Sequence, residues 1–480
     1  MSDFSDRDLA GAPDPATPTI QSLARAGRSK LRGSGWEAGK RISFLIFLVL
    51  IMLIPLGMVE GVVQERGWRK DEVAREIGDQ WGPPQVVSGP ALVVPYDYTE
   101  TQTLTDGQTR SMVKTRYLVF TPDSARIDAD AKVEKRYKSI YEVPVYAADI
   151  ALSGKFGPLD LSAHGVAASQ IKWQAASLVL GISEIRAVKS ASLNAAGGTR
   201  AIEAGLLPYH PFAGGVHANI PLTAFNGARG FDFAFDLTVN GRDDLSFQPI
   251  GRQTKIVLKS NWPHPGFSGA PLPDSRDINA KGFTAEWSIS HIATGAPLSW
   301  RAEEFKLEPA RMVTVGAGLV EPGDVHQQTD RIVKYGVLVV GLTFGTIFVV
   351  GLLKRDRVHL VQYLLIGASL SLFYLLLLSL AEQMDFLGAY VIASLVDIAI
   401  VAWYAGATIR RLMGAVVGAI LAALHVYMYV LLQMESLALL SGTIGLLLIL
   451  VAVMFVTRKV DWFAIGQDAV GQEPKQAAAI

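Results

Sequence analysis

Five apolar runs decide the reading of this chain: YGVLVVGLTFGTIFVVGLL (335–353), LVQYLLIGASLSLFYLLLLSLA (360–381), FLGAYVIASLVDIAIVAWYAG (386–406), LMGAVVGAILAALHVYMYVLLQ (412–433) and SLALLSGTIGLLLILVAVMFV (436–456). Each has the ~20 residues that a helix needs to cross a ~30 Å hydrocarbon layer. The polar breaks between them alternate in sign. Lys354, Arg355 and Arg357 follow the first run, Glu382 and Asp385 the second, Arg410 and Arg411 the third, Glu435 the fourth, and Arg458 and Lys459 the fifth. Basic residues are retained on the cytoplasmic side, so the three basic clusters are expected inside and the two acidic turns outside.

Working outward, the run 42–63 is a sixth candidate span. Arg25, Arg28, Lys30, Arg32, Lys40 and Arg41 precede it, and no small-residue cleavage site follows it, which reads as an uncleaved signal anchor entering from the cytoplasm. The anchor would deliver residues 64–334 to the outer side. Tails at 1–41 and 457–480, largely disordered, would stay in the cytoplasm.

Between the anchor and the bundle, Val73, Ile77 and Trp81 recur at four-residue spacing among charges, as in a short amphipathic helix near the membrane surface, and Gly82, Pro83 and Pro84 end it. Beyond them the chain reads as strands: 91–98, 113–120, 127–133, 137–145, 182–191, 231–239, 253–260 and 283–291, rich in Val, Ile, Tyr and Phe. Asp106-Gly107, Asn226-Gly227 and Asn240-Gly241 read as hairpin turns. The expected fold class is therefore membrane α plus β. It comprises an N-terminal anchor helix, a large β-sandwich-like domain outside the cytoplasm and a C-terminal five-helix bundle, six transmembrane helices in all. Whether the β-region is one sandwich, or two parted near Ala195 to Gly205, stays open.

Composition narrows the chemistry. Half of the residues are hydrophobic while 18% are charged, the average of a lipid-soluble part and a water-soluble part. The formal net charge is zero, so no basic field argues for nucleic acid. With no cysteine, thiol catalysis, iron–sulfur clusters and cysteine zinc sites are excluded. No nucleophile elbow, Walker loop, dinucleotide fingerprint or metal-spaced histidine cluster is present, and neither a catalytic residue, a metal nor a cofactor is expected. His210 and His217 lie in a Pro/Gly-rich loop with no acidic partner close in sequence.

Five residues stand out as candidates. Trp262 and His264 belong to Trp262-Pro263-His264-Pro265, where two prolines fix the backbone. That segment reads either as a rigid binding ledge or as a structural turn packing Trp262 on the sheet. Asp397 and His425 lie within the third and fourth of the five runs, where ionisable groups are costly and point to function. They could meet across antiparallel helices and relay protons, or merely join helices as a polar contact. Glu382, with Asp385 and Glu435, could bind a cation or dock the outer domain, or simply be tolerated outside. Two G-x-x-x-G pairs, Gly341/Gly345 and Gly414/Gly418, read as packing faces inside the bundle, and Trp36, Trp68, Trp403 and Trp462 as an interfacial aromatic belt.

Three blocks carry a resemblance. The first runs from Trp81 through Gln85, Gly89, Pro90, Pro95 and Tyr96. The second runs from Phe247, Pro249 and Gly251 through Trp262-Pro263-His264-Pro265, Phe267 and Gly269 to Phe283 and Trp287. The third, in the membrane part, is Phe373 to Leu380 with Glu382, Phe386, Ala389 and Tyr390, joined by Leu439, Gly442, Arg458, Asp461 and Trp462; Gln383 stands where the pattern is expected to have His. Together they resemble the CreD family of bacterial inner-membrane proteins. That resemblance implies a multi-pass inner-membrane protein with a periplasmic domain, tied to cell-envelope integrity and envelope stress, without an established enzymatic activity. The expected partners are the lipid bilayer and another envelope protein or component. The runner-up reading is a transporter or lipid-handling protein working through the bundle. A sensor would need a cytoplasmic output module, for which the tails are too short and too polar. The ligand and the oligomeric state are not legible.

Overall fold

The computed structural model describes residues 20–103, 109–205, 207, 209, 211–223, 227–308, 311–321, 325–354, 358–433 and 438–458. It divides into two compact units, a helical one (Met1–Gly67 with Val325–Ile480) and a β-rich one (Trp68–Asp324). The helices are α1 (Ile20–Trp81), α2 (His291–Thr294), α3 (Val325–Lys334), α4 (Gly336–Lys354), α5 (Leu360–Ala381), α6 (Phe386–Thr408), α7 (Arg411–Gln433) and α8 (Ala438–Thr457).

In the helical unit the residues of α1 that pack inward are Leu48, Met52, Leu56, Val59 and Val63, a single stripe at helical spacing. They share one buried cluster with Phe344 of α4, Ile366, Phe373 and Tyr374 of α5, Ala393 of α6, and Leu421 and Met428 of α7. The opposite faces are apolar too: Ile54, Met58, Leu372, Leu395, Trp403 and Leu448 are all exposed. Helices that are hydrophobic all round belong in lipid. Ser43–Trp81, α5, α6 and α7 are each long and apolar enough to cross a membrane, and α3 with α4 makes a fifth if that pair, bent by 40°, is one span. A shorter apolar helical stretch covers Leu440–Phe455.

The β-rich unit holds seventeen strands among the described residues, in two sheets. The nine-stranded sheet contains β1 (Gln85–Thr103), β2 (Thr109–Phe120), β5 (Ser177–Ile182), β8 (Glu203–Ala204), β9 (Gly215–Asn219), β11 (Asp244–Gln248), β13 (Pro265–Gly269), β16 (Ser299–Arg301) and β17 (Val315–Leu319). Its path is β13-β17-β11-β1-β5-β9-β8, with β2 also on β1 and β16 on β2. The eight-stranded sheet contains β3 (Ser124–Lys138), β4 (Tyr141–Phe156), β6 (Val188–Ala195), β7 (Gly198–Arg200), β10 (Phe231–Arg242), β12 (Gln253–Ser260), β14 (Ser275–Asn279) and β15 (Gly282–Ser290), in the order β14-β15-β12-β3-β4-β10-β6-β7. Both sheets are mixed, since β1 runs parallel to β11 and β12 parallel to β3.

Alternation places one face of each sheet in a shared core. Phe231, Phe233, Phe235, Leu237 and Val239 of β10 point inward with Ile127, Tyr146 and Trp287, and meet Leu92, Tyr96 and Leu118 from the other sheet in one cluster. Removing a fully buried Phe or Leu of this kind from water is worth about 2–3 kcal/mol. The stretch near Ala195 to Gly205 is where the chain passes from β7 in one sheet to β8 in the other, inside a single compact unit.

Several local expectations are corrected. The amphipathic segment at Val73, Ile77 and Trp81 is the last part of α1 and no separate short helix, because Gly67 alone, at ~1 kcal/mol, does not stop a helix flanked by good formers. Its apolar residues pack on Tyr141, Val143 and Val145 of β4, and the helix does end at Gly82, with φ of 152°. The strand expected over 137–145 contains the β3–β4 turn, where Ser139 has φ of 57°. The strand expected over 182–191 is broken by a turn of 3-10 helix at Ile185–Ala187. Asn240-Gly241 lies inside β10, and the turn falls at Asp243, with φ of 59°. Gly241 is glycine for another reason: a Cβ there would strike the Tyr146 ring. Asp106-Gly107 and Asn226 lie outside the described residues, as do both tails' ends from 1 to 19 and from 459. The helix α3, ahead of the run that begins at Tyr335, was not foreseen; it buries Thr329, Ile332 and Val333 in the helical unit.

Candidate functional site

The Trp262 to Pro265 segment is the corner at which the chain leaves β12 in one sheet and enters β13 in the other. Both sides of Val320 are held there. The Trp262 Nε1 donates to the Val320 carbonyl at 3.0 Å, and the Val320 N–H donates to the His264 carbonyl at 3.1 Å. Next to it, Asn261 exchanges two bonds with the Val133 backbone, 2.7 Å from Val133 N and 3.1 Å from Val133 O, so its side chain prolongs the parallel β12–β3 ladder. The His264 ring is exposed. The geometry accounts for Trp262 and for the backbone of His264 as structure.

Asp397 and His425 do come together. α6 and α7 cross closely at Gly414, where a Cβ would meet Gly406 and the Ala402 carbonyl, and at Gly418, where it would meet the Ala402 side chain. Above this crossing the His425 Nε2 lies 3.7 Å from the Asp397 Oδ2, with both side chains almost fully buried. The Ser369 hydroxyl of α5 donates to the Asp397 Oδ1 at 2.9 Å. Tyr390 donates to the His425 carbonyl at 2.7 Å, and the Phe373 ring stands edge-on to the imidazole with centroids 4.7 Å apart. Sequence reading missed Ser369 and met Tyr390 only within the family pattern, because their spacing along α5 and α6 carries no signal of a shared site without the helix pairing.

The acidic turns have local roles. Glu382 closes α5 and lies 3.8 Å from Arg66 of α1, with its side chain 12% exposed. Asp385 caps α6 by accepting from the Gly388 N–H at 2.8 Å. Glu435 lies outside the described residues. Of the glycine pairs, Gly414/Gly418 makes the α6–α7 contact, whereas a Cβ on Gly341 or Gly345 would meet nothing within 4 Å, so that pair is not a packing face. Trp68 and Trp403 are exposed; the side chain of Trp36 and all of Trp462 lie outside the described residues.

In the β-rich unit His217, which has no acidic partner close in sequence, has its Nδ1 3.1 Å from the Gly205 carbonyl and its Nε2 3.6 Å from Glu203. His210 is outside the described residues. His164 was not singled out in the sequence; it shares a 2.9 Å hydrogen bond with Ser299, and burial, aided by Arg301, pushes its imidazole below the usual value. Among the described residues no group of three or more His, Asp or Glu side chains is arranged to hold a metal.

The family model for inner membrane protein CreD matches residues 37–463. The chain belongs to the CreD family. It is also 33% identical to inner membrane protein CreD of Escherichia coli (strain K12) over 440 residues, which is 88% of this chain and 93% of that protein. The CreD match spans both units and all five candidate residues, Trp262, His264, Glu382, Asp397 and His425. With its apolar helices, this makes the chain a multi-pass protein of the inner membrane.

Proposed function

We propose that this CreD-family chain is a non-enzymatic protein supporting envelope integrity or the envelope-stress response, working through a β-sandwich held on the periplasmic side. The observation that carries the reading is the division of the chain. The larger β-rich body, Trp68–Asp324, is inserted between the apolar stretch of α1 and helices α3 to α8, and the basic residues cluster in the part of α1 ahead of that stretch and at the ends of α4, α6 and α8. In this reading α1 and α4 to α8 make six spans, both chain ends are cytoplasmic, and the short acidic turns face out. The sandwich, with two sheets on one core, is the body that would engage an envelope protein or component.

The test is detergent sensitivity and dye entry in a strain lacking the protein, complemented at matched levels by the full chain or by residues 1–324. The shortened chain keeps α1, whose stripe from Leu48 to Val63 is apolar and tolerates lipid in place of the missing helices. Rescue by the shortened chain is the expected result. Failure of a folded, correctly located shortened chain would move the essential work into the helices. That outcome favours the second reading, transport or lipid handling, which has the buried Asp397 and His425 in its favour.

A further inference from the structure

In the helical unit the buried side chains of Asp397 and His425 face each other with one hydrogen bond unmade. The Nδ1 of His425 lies 2.8 Å from the Leu421 carbonyl oxygen, which can only accept, so Nδ1 carries a proton and donates it. The Nε2 is then the variable position, and it faces the Asp397 Oδ2. The Asp397 Oδ1 is satisfied by Ser369, but Oδ2, although buried, has no hydrogen-bond partner. Without a further proton the pair carries one negative charge, supported by a single donor. One proton between Oδ2 and Nε2 makes the pair neutral overall and supplies the missing bond. A second would leave it positive. Burial in an apolar bundle selects the neutral count.

Among the described residues of the helices around the pair, none is placed to balance the charge. The described inward residues of α1, from Leu48 to Val63, and of α4, Val339, Val340, Phe344 and Ile347, are apolar apart from the Thr343 hydroxyl, which bonds Val339. α3 contributes Thr329, Ile332 and Val333. The other buried ionisable side chains on α5, α6 and α7 are the phenols of Tyr363, Tyr374 and Tyr390, which are neutral near pH 7. Glu382, with Arg66, lies at the end of α5.

Among the buried side chains of α6 and α7 the polar ones near the pair lie on one side, while α5 places the Tyr363 phenol toward the other. Gln433, exposed at the end of α7, donates to Tyr429 at 2.9 Å; the Tyr429 ring is 5.4 Å from that of Tyr390, and Tyr390 bonds the His425 backbone. Toward the opposite end, the buried residues of α6 and α7 are Val401, Ala405, Met413 and Val417. We infer that Asp397 and His425 form a binding site for a single proton inside the helical unit, loaded from the end of the bundle where α7 terminates in Gln433.

The test uses the full-length chain in lipid nanodiscs, with aspartate carbonyls labelled with carbon-13 and histidine rings with nitrogen-15, titrated with pH. Among the Asp and His signals that titrate, one, a protonated carboxyl or an imidazolium, is expected to be lost in both Asp397→Asn and His425→Gln. Asp397→Asn keeps the side-chain size, the acceptor for Ser369 and a donor toward Nε2, so its fold is expected to persist; a matched elution profile and melting curve establish this. After a pH jump, the signal of the double variant Tyr429→Leu, Gln433→Leu should equilibrate more slowly than that of the wild type. A signal that survives in Asp397→Asn, or the absence of any one-proton event, would reduce the pair to a helix contact and overturn the site. An unchanged rate in the double variant would overturn the route.

Discussion

The Glu184 carboxyl is held down to about 2, because the Arg186 side chain donates to it at 3.0 and 2.9 Å and the Arg186 backbone N–H adds a third bond at 3.1 Å. This capped turn is what separates β5 from β6. Such a carboxylate adds stability at any pH above its unfolded value of ~4.3, and loses it as pH falls through the folded one. Glu184→Gln should therefore lower the melting temperature of the purified protein slightly at pH 7, with the difference from wild type closing as pH is lowered from ~4.3 toward 2. Melting curves collected across that window check it. At this scale the sequence was informative where a residue violated its surroundings. Asp397 and His425 announced themselves as charges in apolar runs, whereas Ser369 and Tyr390 are ordinary membrane-helix residues that acquire a role only when α5, α6 and α7 are paired. The Glu184 cap was invisible for the same reason that made 182–191 look like one strand: alternation there is interrupted by a bond between neighbours, not by Gly or Pro.

Helices and strands differ in how much of their environment they advertise. The runs that became α4 to α7 were legible to within a few residues because a membrane demands both a length and a composition. Their packing was not. The two G-x-x-x-G pairs look alike in sequence, yet only Gly414/Gly418 packs against a neighbouring helix, Gly414 on its backbone and Gly418 on the Ala402 side chain. Gly414→Leu should force α6 and α7 apart and destabilise the helical unit by several kcal/mol, whereas Gly341→Leu should be nearly neutral. Unfolding of both variants in mixed micelles, compared with wild type, checks the contrast, and equal effects would contradict it. Among strands, Gln253 to Ser260 was read with the bounds it has, since its burial alternates, apart from Val257, until the sheet-to-sheet corner at Trp262. The hairpin at 137–145 was misjudged because Ser139 takes a left-handed conformation usually left to Gly or Asn.

For the whole molecule, the split into a lipid-compatible part and a water-compatible part follows from where hydrophobic residues are continuous and where they alternate. What the sequence could not supply was long-range order: the parallel pairing of β1 with β11 and β3 with β12 joins segments far apart in the chain, and short-range patterns do not encode it. The proposed function requires that β-rich body to lie outside the cytoplasm. The chain has no cysteine, so single introduced thiols can be labelled without background. The most direct measurement is labelling of Lys132→Cys, exposed on β3, and Arg410→Cys, exposed between α6 and α7, with a membrane-impermeant maleimide in cells whose outer membrane has been opened. Labelling of Lys132→Cys in intact spheroplasts, with Arg410→Cys reacting only after lysis, is the predicted result. The reverse pattern, or protection of Lys132→Cys until lysis, would contradict it.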